Sequence, residues 1–320
     1  MPNRNLRAVL AAGLLLCPGQ ANTQTYPAQR VTLLVGFAAG GPVDVIARIV
    51  ADGLQKRWNQ TVVVENRAGA GGNLAAATVT KANPDGYTLL FTATGVVINQ
   101  SLYDNPGYSI RDLTPISVAA TNNLLFAVNP GNPARTFGAF VDAHRSKSFT
   151  FGTAGVGSGA HITAEYVFRV LTRIEGVHTP YQGSPQAVSA LLGNHIDLVT
   201  VPFPDAVKHV QQGGLRALAI SGSERSPALP DVPTFEETGI PRFSSSGWIA
   251  LFAPTKTDHA IAEGLNGAVN DILAQPDVKT RLDALGFNAN RQSLADTAKR
   301  LDRELEIWSR MVSAIGLKIK

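Results

Sequence analysis

The chain has 320 residues, 44% of them hydrophobic and 16% charged, with a formal net charge of +4. This composition excludes a disordered or fibrous protein, and so small a net charge gives no support for binding to nucleic acid. The length is sufficient for two domains or lobes, each with its own core.

The N-terminus has the pattern of a secretory signal peptide. Arg4 and Arg7 precede an apolar run over residues 8–16, and small residues follow it. The apolar run is too short to span a membrane as a helix. We therefore expect residues 1–21 to be removed by cleavage after Ala21, which predicts an exported, periplasmic protein.

The single cysteine, Cys17, lies inside this predicted leader. Lipid attachment at Cys17 is an alternative, although Leu16 before it is larger than such sites usually accept. Removal of the leader leaves a mature chain without cysteine, which excludes disulfides and thiolate metal ligands.

The first part of the mature chain alternates between predicted strands and helices, a pattern that favours parallel sheets covered by helices. Pro42 and Asp44 fall in the first turn of the first predicted helix, where a missing N–H is tolerated and a carboxylate suits the helix dipole. The predicted elements are strand 31–36, helix 43–58, strand 61–65, helix 74–81 and strand 87–92.

A second alternating unit follows, and the chain then ends in one strand and two long helices. The predicted elements are strand 124–129, helix 136–144, strand 149–152, helix 162–171, strand 177–180, helix 186–192, strand 196–201, helix 205–212, strand 215–221, strand 248–253, and helices 258–275 and 294–315. The last two predicted helices have no strands of their own, so they must pack against a sheet formed by another part of the chain. We therefore predict a discontinuous lobe 1 (22–124 and 248–320), an inserted lobe 2 (125–247), two crossings between the lobes and a cleft between them.

The loops that follow the strands are the candidate binding site, because ligands of open parallel sheets lie beyond the carboxyl ends of the strands. Two such loops, one per lobe, lead from a strand through a glycine turn into a helix, which directs free N–H groups at an anion. Facing each other, they could hold two carboxylates of one small molecule. The expected ligand contacts are Phe37, Ala38, Ala39, Gly40, Gly41, Thr92, Thr94, Thr153, Gly155, Val156, Gly157, Ser158, His161, Tyr181, Ser184 and Phe203.

Several of these residues have a purely structural alternative. Gly40 and Gly41 also suit a tight turn, and Ser158 is a good helix N-cap with or without a ligand. His161 either reaches the cleft or packs within the protein. Asp44 is assigned to helix support, because its carboxylate would repel an anionic ligand. Tyr181 and Phe203 suit either core or cleft wall, and Trp248 either lines the cleft near the second crossing or fills the hinge.

Enzyme motifs are incomplete. Residues 155–160 fit the dinucleotide fingerprint in its weakest form, but the acidic residue expected at the end of the next strand is missing. Ser158 lacks the preceding glycine of a nucleophile elbow, no phosphate-loop lysine follows either glycine turn, and the six histidines show no metal-ligand spacing. We therefore predict no enzyme activity, no cofactor and no metal site.

Seven short motifs occur in order along the chain. They are Tyr26-Pro27, GFAAGGPVD (36–44), ENRAGAGG (65–72), NPDGY (83–87), GTAGVGS (152–158), YQGS (181–184) and LPDVPT (229–234). In combination they resemble the Bug family, the periplasmic solute-binding receptors of tripartite tricarboxylate transporters, over essentially the whole mature chain.

The resemblance implies an α/β, two-lobed periplasmic binding protein fold that closes on a small organic carboxylate and delivers it to membrane permease subunits. It also implies that residues 37–41 and 155–158 hold one carboxylate, largely through backbone N–H groups and ordered waters. We expect a monomer with no nucleic-acid partner.

The chain departs from the family pattern at two places. Ala38-Ala39 stands where family members often have a proline, and the stretch after Asp197 continues as Leu-Val-Thr-Val-Pro-Phe, where many have a polar or acidic residue. A more apolar wall suits an aromatic or otherwise hydrophobic carboxylate as well as a dicarboxylate.

Two other functions stay open at this point. One is an exported hydrolase or nucleotide-dependent enzyme that uses Ser158 and His161. The other is a ligand-sensing receptor domain for a membrane sensor.

Overall fold

The structure is a computed structural model that describes residues 26–240 and 246–319. The predicted signal peptide, its cleavage site and Cys17 lie outside these residues. Among the helices described, none is both long and apolar enough to cross a membrane.

The first sheet has the strand order β2-β1-β3-β9-β4-β10. Its strands are β1 (Val31–Val35), β2 (Val62–Asn66), β3 (Thr88–Ala93), β4 (Leu113–Val128), β9 (Ser246–Pro254) and β10 (Asn288–Ala289). The first three strands are parallel, as predicted. β9 is antiparallel to both β3 and β4, so the sheet as a whole is mixed.

The long strand β4 belongs to both sheets, and only its last five residues, from Leu124, were predicted. Up to Asn123 it pairs with β9, and from Leu124 onward it pairs with strands of the second sheet. Pro115 explains why residues 113–123 were not predicted as a strand. Proline cannot donate a hydrogen bond to a β-ladder, so its presence argues against an inner strand. The strand accommodates it by a register shift between Pro115 and Ser117.

The second sheet is built from the end of β4 with β5 (Phe149–Thr153), β6 (Gly176–Pro180), β7 (Leu198–Pro202) and β8 (Arg216–Ile220). β5 is parallel to β6 and β7, while β4 is antiparallel to β7 and β8. Both sheets therefore contain a set of parallel strands whose carboxyl ends lead into helices.

The helices cover both faces of the two sheets, and two of them were not predicted. Helix α3 begins in the β-branched run Val96-Val97-Ile98, which resembles a strand in sequence, and α9 begins at Pro276, where the predicted helix was ended. The helices are α1 (Pro42–Trp58), α2 (Asn73–Val79), α3 (Gly95–Leu102), α4 (Phe137–Ala143), α5 (Gly159–Glu165), α6 (Ser184–Leu192), α7 (Phe203–Gln211), α8 (His259–Leu273), α9 (Pro276–Ala284) and α10 (Leu294–Ile315).

The packed cores fix the directions in which the helices begin. One core lies between the first sheet, α1 and α8, and includes Leu33, Ile46 and Leu265. A second core joins α3 and α10 to the Phe-rich face of the second sheet, where Phe126 and Phe168 meet edge to face. Burial of each such side chain contributes roughly 1.5–3 kcal/mol to the free energy of folding. The packed cores therefore fix the positions of the helix starts.

Candidate functional site

Two adjoining cavities lie where the carboxyl ends of the parallel strands of both sheets meet. The first, here called the cleft cavity, has a volume of about 100 Å³ and lies between the starts of α1 and α5. The second, the glycine groove, has a volume of about 440 Å³ and extends along the glycine-rich turn 68–72. Both cavities share Phe37, Ala154 and Ser158, so they form one continuous site.

The walls of the cleft cavity are largely apolar. Phe37, Leu124, Ile249 and Phe287 line it, and its polar lining residues are neutral. None of the described residues that line either cavity is Lys, Arg, His, Asp or Glu. An anion in this site is therefore bound by N–H and hydroxyl groups, without a direct ion pair.

The start of α1 provides the first set of N–H groups. Gly41 is the N-cap and offers no side-chain cap. In the described part of the chain, the N–H groups of Val43 and Asp44 have no acceptor, as expected for a first helical turn. Val43 also lines the cleft cavity. The positive end of the helix dipole favours negative charge here.

Asp44 stabilises the preceding loop and does not line either cavity. Its carboxylate accepts hydrogen bonds from Gly40 N–H (2.9 Å), from Asn66 Nδ2 (2.9 Å) and from two guanidinium nitrogens of Arg48 (both 2.9 Å). Burial alone raises the pKa of Asp44, but the bonds from Arg48, Gly40 and Asn66 outweigh it and lower the pKa. The structure thus assigns Asp44 a supporting role, and the Gly40 N–H is not available to a ligand.

The start of α5 provides the second set of N–H groups. Ser158 is the N-cap, and its hydroxyl oxygen accepts from His161 N–H (3.2 Å). The N–H groups of Gly159 and Ala160 have no acceptor among the described residues, and both residues line the cleft cavity. Helices α1 and α5 therefore both begin at the cleft cavity.

His161 stabilises the loop that leads from β5 into α5. Its Nδ1 atom accepts from Gly157 N–H (3.2 Å), and its ring stacks on His178 with 3.9 Å between ring centroids. Burial, together with His178 and Arg169, lowers the pKa of His161 to about 3. The ring is therefore neutral at physiological pH, and since Nδ1 accepts, the proton is on Nε2.

This geometry gives no support to a Ser158–His161 catalytic pair. The Ser158 hydroxyl contacts the backbone of His161, while the imidazole is occupied by Gly157 N–H and lies 3.8 Å from Glu165. A general base must be within hydrogen-bond reach of its nucleophile. Within the described residues no group of three or more His, Cys, Asp or Glu side chains is arranged to hold a metal ion.

The expected contact residues divide into two sets. Those that line the cleft cavity or the glycine groove are Phe37, Ala38, Thr94, Gly155, Val156, Ser158, Tyr181 and Ser184. Those that line neither are Ala39, Gly40, Gly41, Thr92, Thr153, Gly157, His161 and Phe203.

The residues of the second set have identifiable reasons for lying elsewhere. Thr92 is fully buried behind Gly36 and Gly72, and Thr153 directs its hydroxyl at His178 Nε2 (2.8 Å). The N–H of Gly41 donates to Ala38 within the loop, so it supports the turn. Phe203 instead lines a separate cavity of about 560 Å³ beside Arg225 and Phe287.

The sequence did not identify several residues that line the cleft cavity, notably Val43, Gly159, Ala160, Asn122 and Phe287. The first three could have been found, because they are the first-turn positions after the two predicted glycine turns. Phe287 follows α9 and reaches the cavity only through tertiary packing, for which the sequence holds no signal.

Two glycines allow α3 to lie close to its neighbours, which are the loop before α5 and the glycine-rich turn 68–72. A Cβ on Gly157 would lie 2.5 Å from Asn99 Oδ1, and one on Gly95 would lie 2.9 Å from the Gly71 carbonyl. Gly157 has a φ of +78°. A side chain at Gly157 would push the second-sheet loop away from α3, and one at Gly95 would push α3 away from the glycine-rich turn 68–72.

Comparison with known proteins gives a consistent assignment. The family model described as "Tripartite tricarboxylate transporter family receptor" (TctC) matches residues 46–317. Protein BugT of Bordetella pertussis is 34% identical over 304 residues, which cover 93% of this chain and 93% of BugT. The resemblance to the Bug family is therefore confirmed.

Solved structures agree in fold. Rpa4515 of R. palustris, solved with adipate, has a TM-score of 0.86 at 29% identity and covers 92% of this chain and 99% of its own. MatC from Rhodopseudomonas palustris, with bound malate, has a TM-score of 0.83 at 32% identity and covers 90% of this chain and 100% of its own.

These relatives are solute-binding proteins, which confirms both the predicted fold class and the expectation that the chain is not an enzyme. The chain belongs to the tripartite tricarboxylate transporter receptor family and has the α/β periplasmic binding protein fold.

Proposed function

We propose that this protein captures a small organic carboxylate in the cleft cavity and delivers it to the membrane permease subunits of a tripartite tricarboxylate-type transporter. One observation carries the proposal: α1 and α5 begin at the same cavity with N–H groups that have no acceptor in the described residues, at Val43, Gly159 and Ala160. Two helix starts directed at one uncharged cavity favour an anionic ligand.

The energetics require several contacts at once. A helix dipole contributes about 0.3–1 kcal/mol to anion binding, whereas micromolar affinity needs about 8 kcal/mol. Hydrogen bonds to a charged carboxylate contribute about 1.5–3 kcal/mol each. Several N–H bonds together with burial against Phe37 and Leu124 account for the difference. The ligand-contacting members of the predicted set are then Phe37, Ala38, Thr94, Gly155, Val156, Ser158, Tyr181 and Ser184.

The lobes proposed from the sequence, 22–124 with 248–320 and 125–247, close on the ligand by a hinge motion. The change of partners in β4 after Asn123 supports this division. Contacts from both helix starts stabilise the closed state when a ligand is bound, which is how a ligand shifts the balance of two conformations.

The ligand class follows from the cavity and from the relatives. The neighbours named above were solved with adipate and malate, both small dicarboxylates. The apolar wall of Phe37 and Phe287 also fits an aromatic acid. We propose a periplasmic location, from the family and the predicted leader, and a monomer as the working form, with no nucleic-acid partner.

Two measurements test the proposal. Native mass spectrometry of freshly purified protein identifies a small acid that copurifies. A thermal-shift screen of mono-, di- and tricarboxylates then measures stabilisation, which should reach about 2.7 kcal/mol at a ligand concentration one hundred times Kd. Sugars and cations are included in the same screen, and stabilisation only by them, with none by any carboxylate, contradicts the proposal.

A further inference from the structure

The glycine groove is the larger part of the site, and the proposed function does not yet use it. The cleft cavity, about 100 Å³, is smaller than the roughly 300–1,000 Å³ of typical small-molecule sites. The groove, about 440 Å³, falls within that range. Because the two cavities share Phe37, Ala154 and Ser158, a ligand whose carboxylate lies at the helix starts has room to extend into the groove.

The floor of the groove is the turn 68–72, which is built from glycine and alanine only. Gly72 has a φ of +98°, and a Cβ there would lie 3.1 Å from Thr92 Oγ1 and 3.7 Å from Phe37 Cε2. The Phe37 ring therefore lies against the backbone of this turn. Since no side chain larger than a methyl group projects from residues 68–72, the groove keeps space for a flat group beside that ring.

Three aromatic side chains line the groove, namely Phe37, Tyr103 and Tyr181, and each is half-buried. Tyr103 is the C-cap of α3, and Tyr181 directly follows β6, so the rings come from both proposed lobes. A Cβ on Gly152 would lie 3.0 Å from Tyr181 Cε2, which places that ring firmly on the backbone of β5. Aromatic rings of this kind pair favourably with a further ring, edge to face or offset.

The groove offers no partner for a second negative charge. None of the described residues that line it is charged, and its polar lining groups, such as Gln182 and the tyrosine hydroxyls, are neutral. Arg67, which precedes the turn, donates from a guanidinium nitrogen to Thr78 Oγ1 (3.0 Å) and is not part of the lining. A second carboxylate in the groove would lose hydration without gaining an ion pair, whereas an uncharged ring gains from burial.

We propose that the glycine groove holds an aromatic ring of the ligand, so that the receptor selects aryl-substituted carboxylates over aliphatic dicarboxylates. The carboxylate binds at the starts of α1 and α5, and the ring lies over the turn 68–72 among Phe37, Tyr103 and Tyr181. The inference rests on the proposed function and specifies its ligand class.

Two series of acids test this selection, each with one acyl chain that carries a hydrogen, a carboxylate or a phenyl group at its end. The first is propionate, succinate and 3-phenylpropionate, and the second is acetate, malonate and phenylacetate. Isothermal titration calorimetry at pH 7.5 measures the Kd of all six for the wild-type protein. We expect the phenyl acid of at least one series to bind about tenfold or more tightly than both of its partners, because it alone buries a ring.

The same titrations separate failure of the inference from failure of the proposed function. If in neither series the phenyl acid binds more tightly than both of its partners, the inference is overturned while the proposed function stands. Tighter binding of succinate or malonate would mean that the groove holds a second carboxylate. Binding of none of the six acids contradicts the proposed function, on which the inference depends.

Variants then assign the preference to the groove. Ala68 is exposed and lines the groove but not the cleft cavity, so Ala68→Trp should fill the groove. We expect it to lower the ratio of phenyl-acid to unsubstituted-acid affinity below about threefold, with little change for the unsubstituted acid. The matched control is Ala298→Trp, at an exposed position of α10 that lines neither cavity, which should keep the wild-type ratio.

Tyr103 provides a second, independent variant, because it lines only the groove. Tyr103→Ala should lower the same ratio by about threefold or more, and Tyr103→Phe, which keeps the ring, should retain it. A purely structural role for these residues would weaken all acids equally and leave the ratio unchanged, and that result overturns the inference. Folding is checked by circular dichroism, and if Ala68→Trp does not fold, the two Tyr103 variants decide.

Discussion

The two loops that lead into α1 and α5 have the same local design and are stabilised in different ways. The first loop is fixed by a charged group, the Asp44 carboxylate, which is paired with Arg48 and accepts from Gly40 N–H. The second is fixed by a neutral one, the His161 imidazole, which accepts from Gly157 N–H. In both cases the stabilising group takes the N–H of a glycine in the loop. The helix-start N–H groups next to it have no acceptor in the described residues.

The difference follows from the surroundings. The Arg48 side chain is 54% exposed, so the first loop can use an ion pair at the surface. The second loop lies over a packed core, where a neutral ring stacked on His178 avoids the cost of burying a charge. A glycine loop before a helix start can therefore be fixed either by an ion pair or by a neutral imidazole.

Two glycines, Gly40 and Gly157, have the same φ of +78° and allow the effect of loop strain to be distinguished from the effect of contact with α3. An alanine at either costs about 1–2 kcal/mol of backbone strain. At Gly157 the new Cβ also meets Asn99 Oδ1 at 2.5 Å, whereas at Gly40 it meets nothing within 4 Å. We expect Gly157→Ala to weaken carboxylate binding by about 10–100-fold, the equivalent of about 1–3 kcal/mol of overpacking.

Gly40→Ala should change affinity by less than about threefold. Calorimetry on both variants with the same acid makes the comparison. Equal losses at the two glycines would show that the contact with Asn99 does not matter for binding.

The next prediction concerns Asp44, the charged residue that fixes the first loop. Asp44→Ala leaves Arg48, Asn66 and Gly40 N–H without their common acceptor. We expect a loss of about 2–3 kcal/mol in the free energy of unfolding, measured with urea at pH 7. Because the pKa of Asp44 is lowered in the folded state, its contribution is present above the unfolded-state pKa and disappears as pH falls through the folded-state value. A variant effect as large at pH 2 as at pH 7 would contradict this.

The neutral support also loses stability as pH falls, but the loss begins at a higher pH than for the charged support. Folding lowers the pKa of His161 from 6.5 to about 3. As pH falls below 6.5 the unfolded chain binds the proton first, so stability is lost between the two values. By pH 5 the loss is about 2 kcal/mol, which His161→Gln should remove.

The measurement is the difference in unfolding free energy between pH 7.5 and pH 5. His178, whose pKa burial lowers to about 4, contributes in the same direction and is retained in the variant. The exposed His195→Gln serves as control. An unchanged pH slope in His161→Gln would place the ring in a different protonation state.

The start of α7 offers a third case, in which the acidic residue of the first turn is Asp205. Like Asp44, Asp205 is a first-turn acid, but burial raises its pKa to about 6 from 3.8. Its favourable contribution is full below pH 3.8 and is lost as pH rises through 6. At pH 7.5 we expect Asp205→Asn to stabilise the protein by about 1–2 kcal/mol, with little effect near pH 4.

Thermal unfolding of wild type, Asp205→Asn and the exposed control Asp277→Asn checks this prediction. Destabilisation of Asp205→Asn at pH 7.5 would mean that the carboxylate has a partner that stabilises it.

The glycine turns were predictable because their signal is local: an apolar strand, small residues and a helix start occupy one continuous stretch of sequence. The support from His161 was not, because His178 becomes its neighbour only through the pairing of β5 with β6. Residues 113–123 of β4 were missed for a different reason, since the bulge at Pro115 hides an inner strand.

The central claim is that backbone N–H groups of two helix starts bind the carboxylate. Amide NMR of ¹⁵N-labelled protein, titrated with the tightest-binding acid of the screen, measures it directly. We expect downfield proton shifts for Val43, Gly159 and Ala160 that saturate together with the calorimetric binding curve. Saturated binding that leaves these three amides unshifted would contradict it.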